Sequence, residues 1–182
     1  MTKARDLANG ASALSAVSAT ELGYVDGVTS AIQTQIDTKA ASSLPTLTAP
    51  VVISPEERTT ISATAATGAL NYDADTQGVL YYTTNASANW TLNVRGTGST
   101  TLASKLATGD SVTISFLVTQ GSTAYYMTAL TIDGNAQTVK YSGGTAPAAG
   151  NASSVDAYSF TIVKTAATPT YTVFGAGPVK YA

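Results

Sequence analysis

From residue 58 onward the chain repeats one pattern: short runs in which apolar and small polar residues alternate, each closed by Gly, Asn or Asp. Alternation with a period of two places every second side chain on one face of a strand, so a chain that does this repeatedly has to build sheets. Val112, Ile114, Phe116 and Val118 share one face of such a run, as do Trp90, Leu92 and Val94, and again Tyr158, Phe160 and Ile162. Turn signals at Gly68, Gly78, Gly96 to Gly98, Gly109-Asp110, Gly121 and Asp133-Gly134-Asn135 separate the runs. Many short strands without an intervening helix pattern predict a mainly β chain, with an antiparallel β-sandwich or jelly-roll-like domain over 58–182. The stretch from Ser142 to Ser154 is the longest predicted loop, and its residues dictate no conformation.

Upstream the pattern changes twice. Between 41 and 57, Pro45, Pro50 and Pro55 forbid a helix and fit an extended connector, with Val51 to Ile53 as an edge strand. Between 18 and 40 the chain reads as helix, turn, helix. Ser18 and Glu21 have capping-box spacing, with Val17 and Leu22 placed to close a hydrophobic staple, and Ser30 and Gln33 repeat the box after the breaks at Gly23 and Gly27. Leu22, Val25, Thr29, Ile32, Ile36 and Lys39 are spaced 3, 4, 3, 4 and 3, the rhythm of a coiled-coil seam with polar residues at two places. A seam of under three heptads, interrupted by Gly, is marginal as a free helix. It gains sense if two or three copies pack together or if it docks on a larger body, its own β domain included. Residues 1–17 are small and polar, with Leu7, Leu14 and Val17 isolated, and read as an attachment arm ordered only against something else.

The chain has 182 residues, room for one real core and an appendage. It contains no His, which removes Ser-His-Asp triads, Cys-His pairs and His-ligated metals, and no Cys, which removes disulfides and thiolate metal sites. Only 11% of residues are charged and the net charge is -2, so no basic field exists for a nucleic-acid backbone. No secretory leader or bilayer-length apolar run stands out, and the expectation is a soluble protein made in a cytoplasm, without membrane insertion. What remains for an enzyme is a carboxylate pair or a Lys or Tyr base.

Asp73 and Asp75, two apart on a predicted strand, would point to one face as a carboxylate pair or calcium ligands; a solvated strand end before Gly78 explains them more simply. Glu56-Glu57-Arg58 reads as an exposed turn, and Asp133-Gly134-Asn135 as a tight hairpin rather than the start of a calcium loop. No catalytic, cofactor-binding or metal-binding residues are assigned. Asn85, Asn89 and Asn151 fit the glycosylation pattern, as chance allows in a chain rich in Ser and Thr. The ten Tyr residues are the main surface resource, because a rigid amphipathic ring can stack on sugars or fill an interface. Tyr81-Tyr82 and Tyr125-Tyr126 are adjacent pairs; on a strand, one ring of each pair turns inward and the other is left for a surface or subunit contact.

The stretch "SATELGYVDGVTSAIQTQIDTKA" closely resembles a segment that recurs in virion structural proteins of tailed bacteriophages, marine and cyanobacterial ones especially, among them tail-fibre-like proteins. "TLASKLATGDSVTISFLVTQGSTAYYMTALTIDG", "SGGTAPAAGNASSVDAYSFTIVKTA" and "YTVFGAGPVKYA" look like a C-terminal β module of the same class. The resemblance covers the first 40 residues and most of 98 to 182, and it carries no catalytic residues or cofactor. It implies a virion protein, commonly a homotrimer, attached by its N-terminal part to capsid, neck or tail and displaying the β module outward. The expectation is therefore a short fibre, spike or decoration protein. The alternatives are an adhesin whose Tyr rings bind a host-surface glycan, and a glycan depolymerase using Asp73 and Asp75.

Overall fold

The computed structural model describes residues 3–5, 10, 18–24, 26, 28, 32 and 53–182. The chain divides into two compact units, Met1–Ile53 and Ser54–Ala182.

In the first unit a helix α1 spans Ala19–Tyr24. It starts because two chain groups satisfy each other: the Glu21 amide donates to Ser18 Oγ at 3.2 Å, and the Ser18 amide donates to a Glu21 carboxylate oxygen at 2.7 Å. This is the reciprocal capping box expected from the sequence, and its hydrogen bonds to Ser18 hold the Glu21 carboxyl below the usual range. The staple partner Val17 and the second box at Ser30 and Gln33 lie outside the described residues, as does Val51 of the expected edge strand. Ile53 sits in a bend.

The second unit is mainly β. Its strands are β1 (Thr59–Ala65), β2 (Gly68–Asp73), β3 (Val79–Thr84), β4 (Trp90–Arg95), β5 (Ser111–Thr119), β6 (Met127–Ile132), β7 (Asn135–Gln137), β8 (Val139–Tyr141), β9 (Val155–Ala166) and β10 (Thr170–Tyr181). They form a six-stranded sheet in the order β1-β3-β5-β9-β10-β8 and a four-stranded sheet in the order β2-β4-β6-β7. The apolar stripes read from the alternation face inward in both. Trp90, Leu92 and Val94 of the smaller sheet are buried, as are Ile114, Phe116, Val118, Tyr158, Phe160 and Ile162 of the larger. Their rings meet across one core: Trp90 lies 6.1 Å from both Phe116 and Tyr158, edge-on to the latter.

The expected antiparallel pairing is corrected. Five of the eight strand pairings are parallel: β1 with β3, β3 with β5, β2 with β4, β4 with β6, and β8 with β10. From β1 to β6 the chain alternates between sheets, so strands two apart in sequence run in the same direction side by side. The connector between β1 and β2 has only residues 66 and 67, yet it changes layer instead of closing a hairpin. A strand in the opposite sheet thus supplies the crossover that a parallel pair requires. The hairpin expected at Asp133-Gly134 does form between β6 and β7, with φ of 50° and 81° at its two central residues, the left-handed values that such a turn demands.

One element carried no expectation. A single helical turn α2, Leu102–Lys105, inserts the buried Leu102 side chain into the core. Thr101 caps its start by accepting from the Ser104 amide, and the Asp133 carboxylate accepts from the Leu102 and Ala103 amides at 2.8 and 3.0 Å. At its other end the Lys164 ammonium donates to the carbonyls of Ala103 and Leu106, both at 2.7 Å. So short a turn satisfies few of its own backbone groups, and residues distant in sequence supply the missing partners.

Candidate functional site

The residues considered for chemistry are drawn apart by the fold. Asp73 ends β2, but Asp75 lies in the following turn, so the two do not share a strand face as expected. Each is paired with its own cation: Asp73 Oδ1 with Arg95 Nε at 2.6 Å and Asp75 Oδ2 with Lys105 Nζ at 2.9 Å. Arg95 is the register partner of Asp73 on β4, which explains the first pair, and α2 supplies the second. Two carboxylates held by separate cations are not arranged to share a proton. Glu56, Glu57 and Arg58 are exposed just before β1. Among the described residues no group of three or more acidic, His or Cys side chains is placed to hold a metal ion, and no helix is long and apolar enough to cross a membrane.

The tyrosine pairs behave differently from each other. On β3, Tyr82 turns inward and meets the Phe116 ring edge-on at 5.8 Å, and burial pushes its hydroxyl pKa up. Tyr81 turns outward, with its hydroxyl 3.4 Å from the donating Thr119 Oγ1. Tyr125 and Tyr126 are not on a strand, which corrects the inward-outward expectation for that pair: they lie in the loop before β6. Gln120 brackets the Tyr125 backbone, donating to its carbonyl at 2.7 Å and accepting from its amide at 3.0 Å, and Asn89 accepts from the Tyr126 amide at 3.1 Å. Both rings are half-buried.

Of the predicted helical seam, Ile32 is exposed. Leu22 falls within α1, its side chain undescribed, and Val25, Thr29 and Ile36 lie outside the described residues.

The outward face of the six-stranded sheet brings residues together that alternation alone left scattered. The registers set Ile61 opposite Tyr81, Tyr81 opposite Leu117, Leu117 opposite Ala157, and Ala157 opposite Val179. A second row runs from Thr119 through Val155 to Tyr181. Tyr81, Leu117, Val155, Ala157, Val179 and Tyr181 wall an open groove of about 520 Å³. The Ser115 and Ser159 hydroxyls are the polar side-chain groups along it besides the tyrosines. On the same face Phe174 stands half out of the surface beneath the Lys140 ammonium, 5.9 Å from the ring centre.

A polar knot behind this face holds one end of it in place. Asp156 on β9 is fully buried between the outward Val155 and Ala157. Its carboxylate accepts from the Asn151 amide at 3.0 Å, the Asn151 side chain at 2.7 Å and Gln120 Nε2 at 3.1 Å. Gly150 belongs to the same knot, since a β-carbon there would run into the Tyr125 carbonyl and the Asp156 carboxylate. The knot also gives part of the featureless 142–154 loop a defined place. The available signal was Asp156 in phase with Tyr158, Phe160 and Ile162, a charge on a stripe that otherwise faces the core.

Comparison with protein-family models, with curated proteins and with solved structures returns no match.

Proposed function

We propose that this chain is a non-enzymatic virion structural protein: a β-sandwich assembly module carried by a short, coiled-coil-like N-terminal segment and assembled as a homotrimeric fibre, spike or decoration. The observation that carries this reading is the outward face of the six-stranded sheet, where the row Ile61, Tyr81, Leu117, Ala157 and Val179 crosses five adjacent strands with no charged side chain in it. Contiguous apolar surface of that kind belongs to contacts with other molecules. The separate ion pairs of Asp73 and Asp75 weigh against a glycan depolymerase. Resemblance of the N-terminal stretch to phage structural proteins supplies the particle; capsid, neck and tail are all open to it.

The seam at Leu22, Val25, Thr29, Ile32 and Ile36 would tie the copies together. Replacing Ile32 and Ile36 with Asp should reduce the mass of the full chain in light scattering from three copies toward one. An unchanged mass refutes the seam. A second reading, an adhesin for a host-surface glycan, is favoured by the Tyr81 and Tyr181 rings flanking the groove. A glycan array that binds nothing, alongside an assembled chain, refutes it.

A further inference from the structure

We propose that the outward face of the six-stranded sheet is itself a self-association surface, covered in the assembled protein by a sister copy of this chain. The inference rests on the homo-oligomeric reading but places a second contact in the β unit, independent of residues 18–40.

Continuity comes first. Ile61, Tyr81, Leu117, Ala157 and Val179 lie side by side on five adjacent strands, a band roughly 19 Å long at the spacing of neighbouring strands. The second observation is neutrality. No Asp, Glu, Lys or Arg occupies an outward position of β1, β3, β5, β9 or β10; the charges of β9 and β10, at Asp156, Lys164 and Lys180, are on the inward phase. Lys140 of β8, at the edge of the sheet over Phe174, is the one charge on this face; across the other five strands another copy brings an equally neutral surface, with no like-charge repulsion. Shape is the third. The face carries both an open groove of about 520 Å³ and protruding apolar side chains, Ile61 at 67% and Phe174 at 49% exposure. A surface with both features can meet its own copy and leave neither unmatched.

The chain has no Cys, so single thiols can be placed cleanly. Ser159→Cys puts one on β9 beside the groove, and Thr91→Cys puts a control on an outward position of β4 in the other sheet. Both variants are made in the full chain and again with Ile32→Asp and Ile36→Asp, and reacted with a polymer-linked maleimide while light scattering reports mass. In the assembled chain the thiol at 159 should react about tenfold more slowly than the thiol at 91, as a largely occupied face requires. Leu117→Lys should restore its reactivity. Equal rates in a chain of multi-copy mass overturn this proposal and leave the N-terminal seam standing. A single-copy mass at every concentration overturns both. Protection at 159 in a single-copy chain also overturns the proposal, because the chain's own segment would then be the occupant.

Discussion

Asp156→Ala tests the polar knot most directly. The substitution leaves three donors, the Asn151 amide, the Asn151 side chain and Gln120 Nε2, without their acceptor. A hydrogen bond to a charged group contributes about 1.5–3 kcal/mol, so loss of all three would span about 4.5–9 kcal/mol. Asn151 is only half-buried, so water can reach part of what is exposed, and the balance falls near 3–5 kcal/mol, roughly. For a unit of this size that corresponds to a drop in melting temperature on the order of 15 °C. Differential scanning calorimetry of the full chain reads it. Hydrogen exchange should show the loss of protection concentrated in the backbone around Tyr125 and Asn151, which the carboxylate joins. Asp156→Asn should cost much less: its amide oxygen can keep two donors while the Asn151 side chain rotates to accept from its nitrogen. A melting temperature within about 3 °C of the parent for Asp156→Ala, or equal losses for Ala and Asn, would refute the account of the knot.

Gly150→Ala presses a methyl group against the Tyr125 carbonyl and the same carboxylate, and thermal melts should show a loss of about 1–3 kcal/mol. Asp73→Asn and Asp75→Asn break partly exposed ion pairs at the surface, and each should change stability by less than about 1 kcal/mol, with the difference shrinking further in 1 M salt in urea titrations. At alkaline pH the fold should weaken. Burial pushes the Tyr72 hydroxyl, which donates to the Gly78 carbonyl at 2.5 Å, up to about 12. The folded chain therefore holds that proton after an unfolded tyrosine, ordinarily near 10, has lost it. The contribution is complete below pH 10 and is lost as pH rises through 12, at up to about 1.4 kcal/mol per pH unit. Tyr72→Phe should flatten that part of the curve in urea melts taken from pH 9 to 12, and an unaltered slope would discount Tyr72.

What the sequence made legible is what depends on near neighbours. The Ser18–Glu21 box is a three-residue relation, and the inward stripe of Trp90, Leu92 and Val94 follows from strand pleat alone. The hairpin at Asp133-Gly134 needed only two residues able to take positive φ. Strand direction was not legible, because a turn that stays in one sheet and a turn that crosses to the other use the same Gly, Asn and Asp chemistry. Their difference lies in which distant strand accepts the hydrogen bonds. The turn α2 was hidden for the same reason: its caps, Asp133 and Lys164, come from other parts of the chain. In the candidate face, the Tyr81-Tyr82 pair marked one ring for the surface without saying which. Leu117 and Ala157 could not be picked out, since each occupies the polar phase of its own strand, nor could Val179, which alternation puts in phase with the inward Val173 and which the register shift after Ala176 turns outward.

The alternation of the first six strands between two layers also sets how the molecule can come into being. Neither sheet is a contiguous stretch of chain: the smaller has all its strands by Gln137, when the larger holds only β1, β3 and β5. The larger sheet stays in two pieces until β9 slots between β5 and β10, uniting residues 111–119 with 170–181. Contacts between such widely separated segments make folding slow for the size of the domain. A chain cut before β9 carries all four strands of the smaller sheet but lacks the strand that joins the larger one, so its finished layer has only part of the opposing layer to pack against.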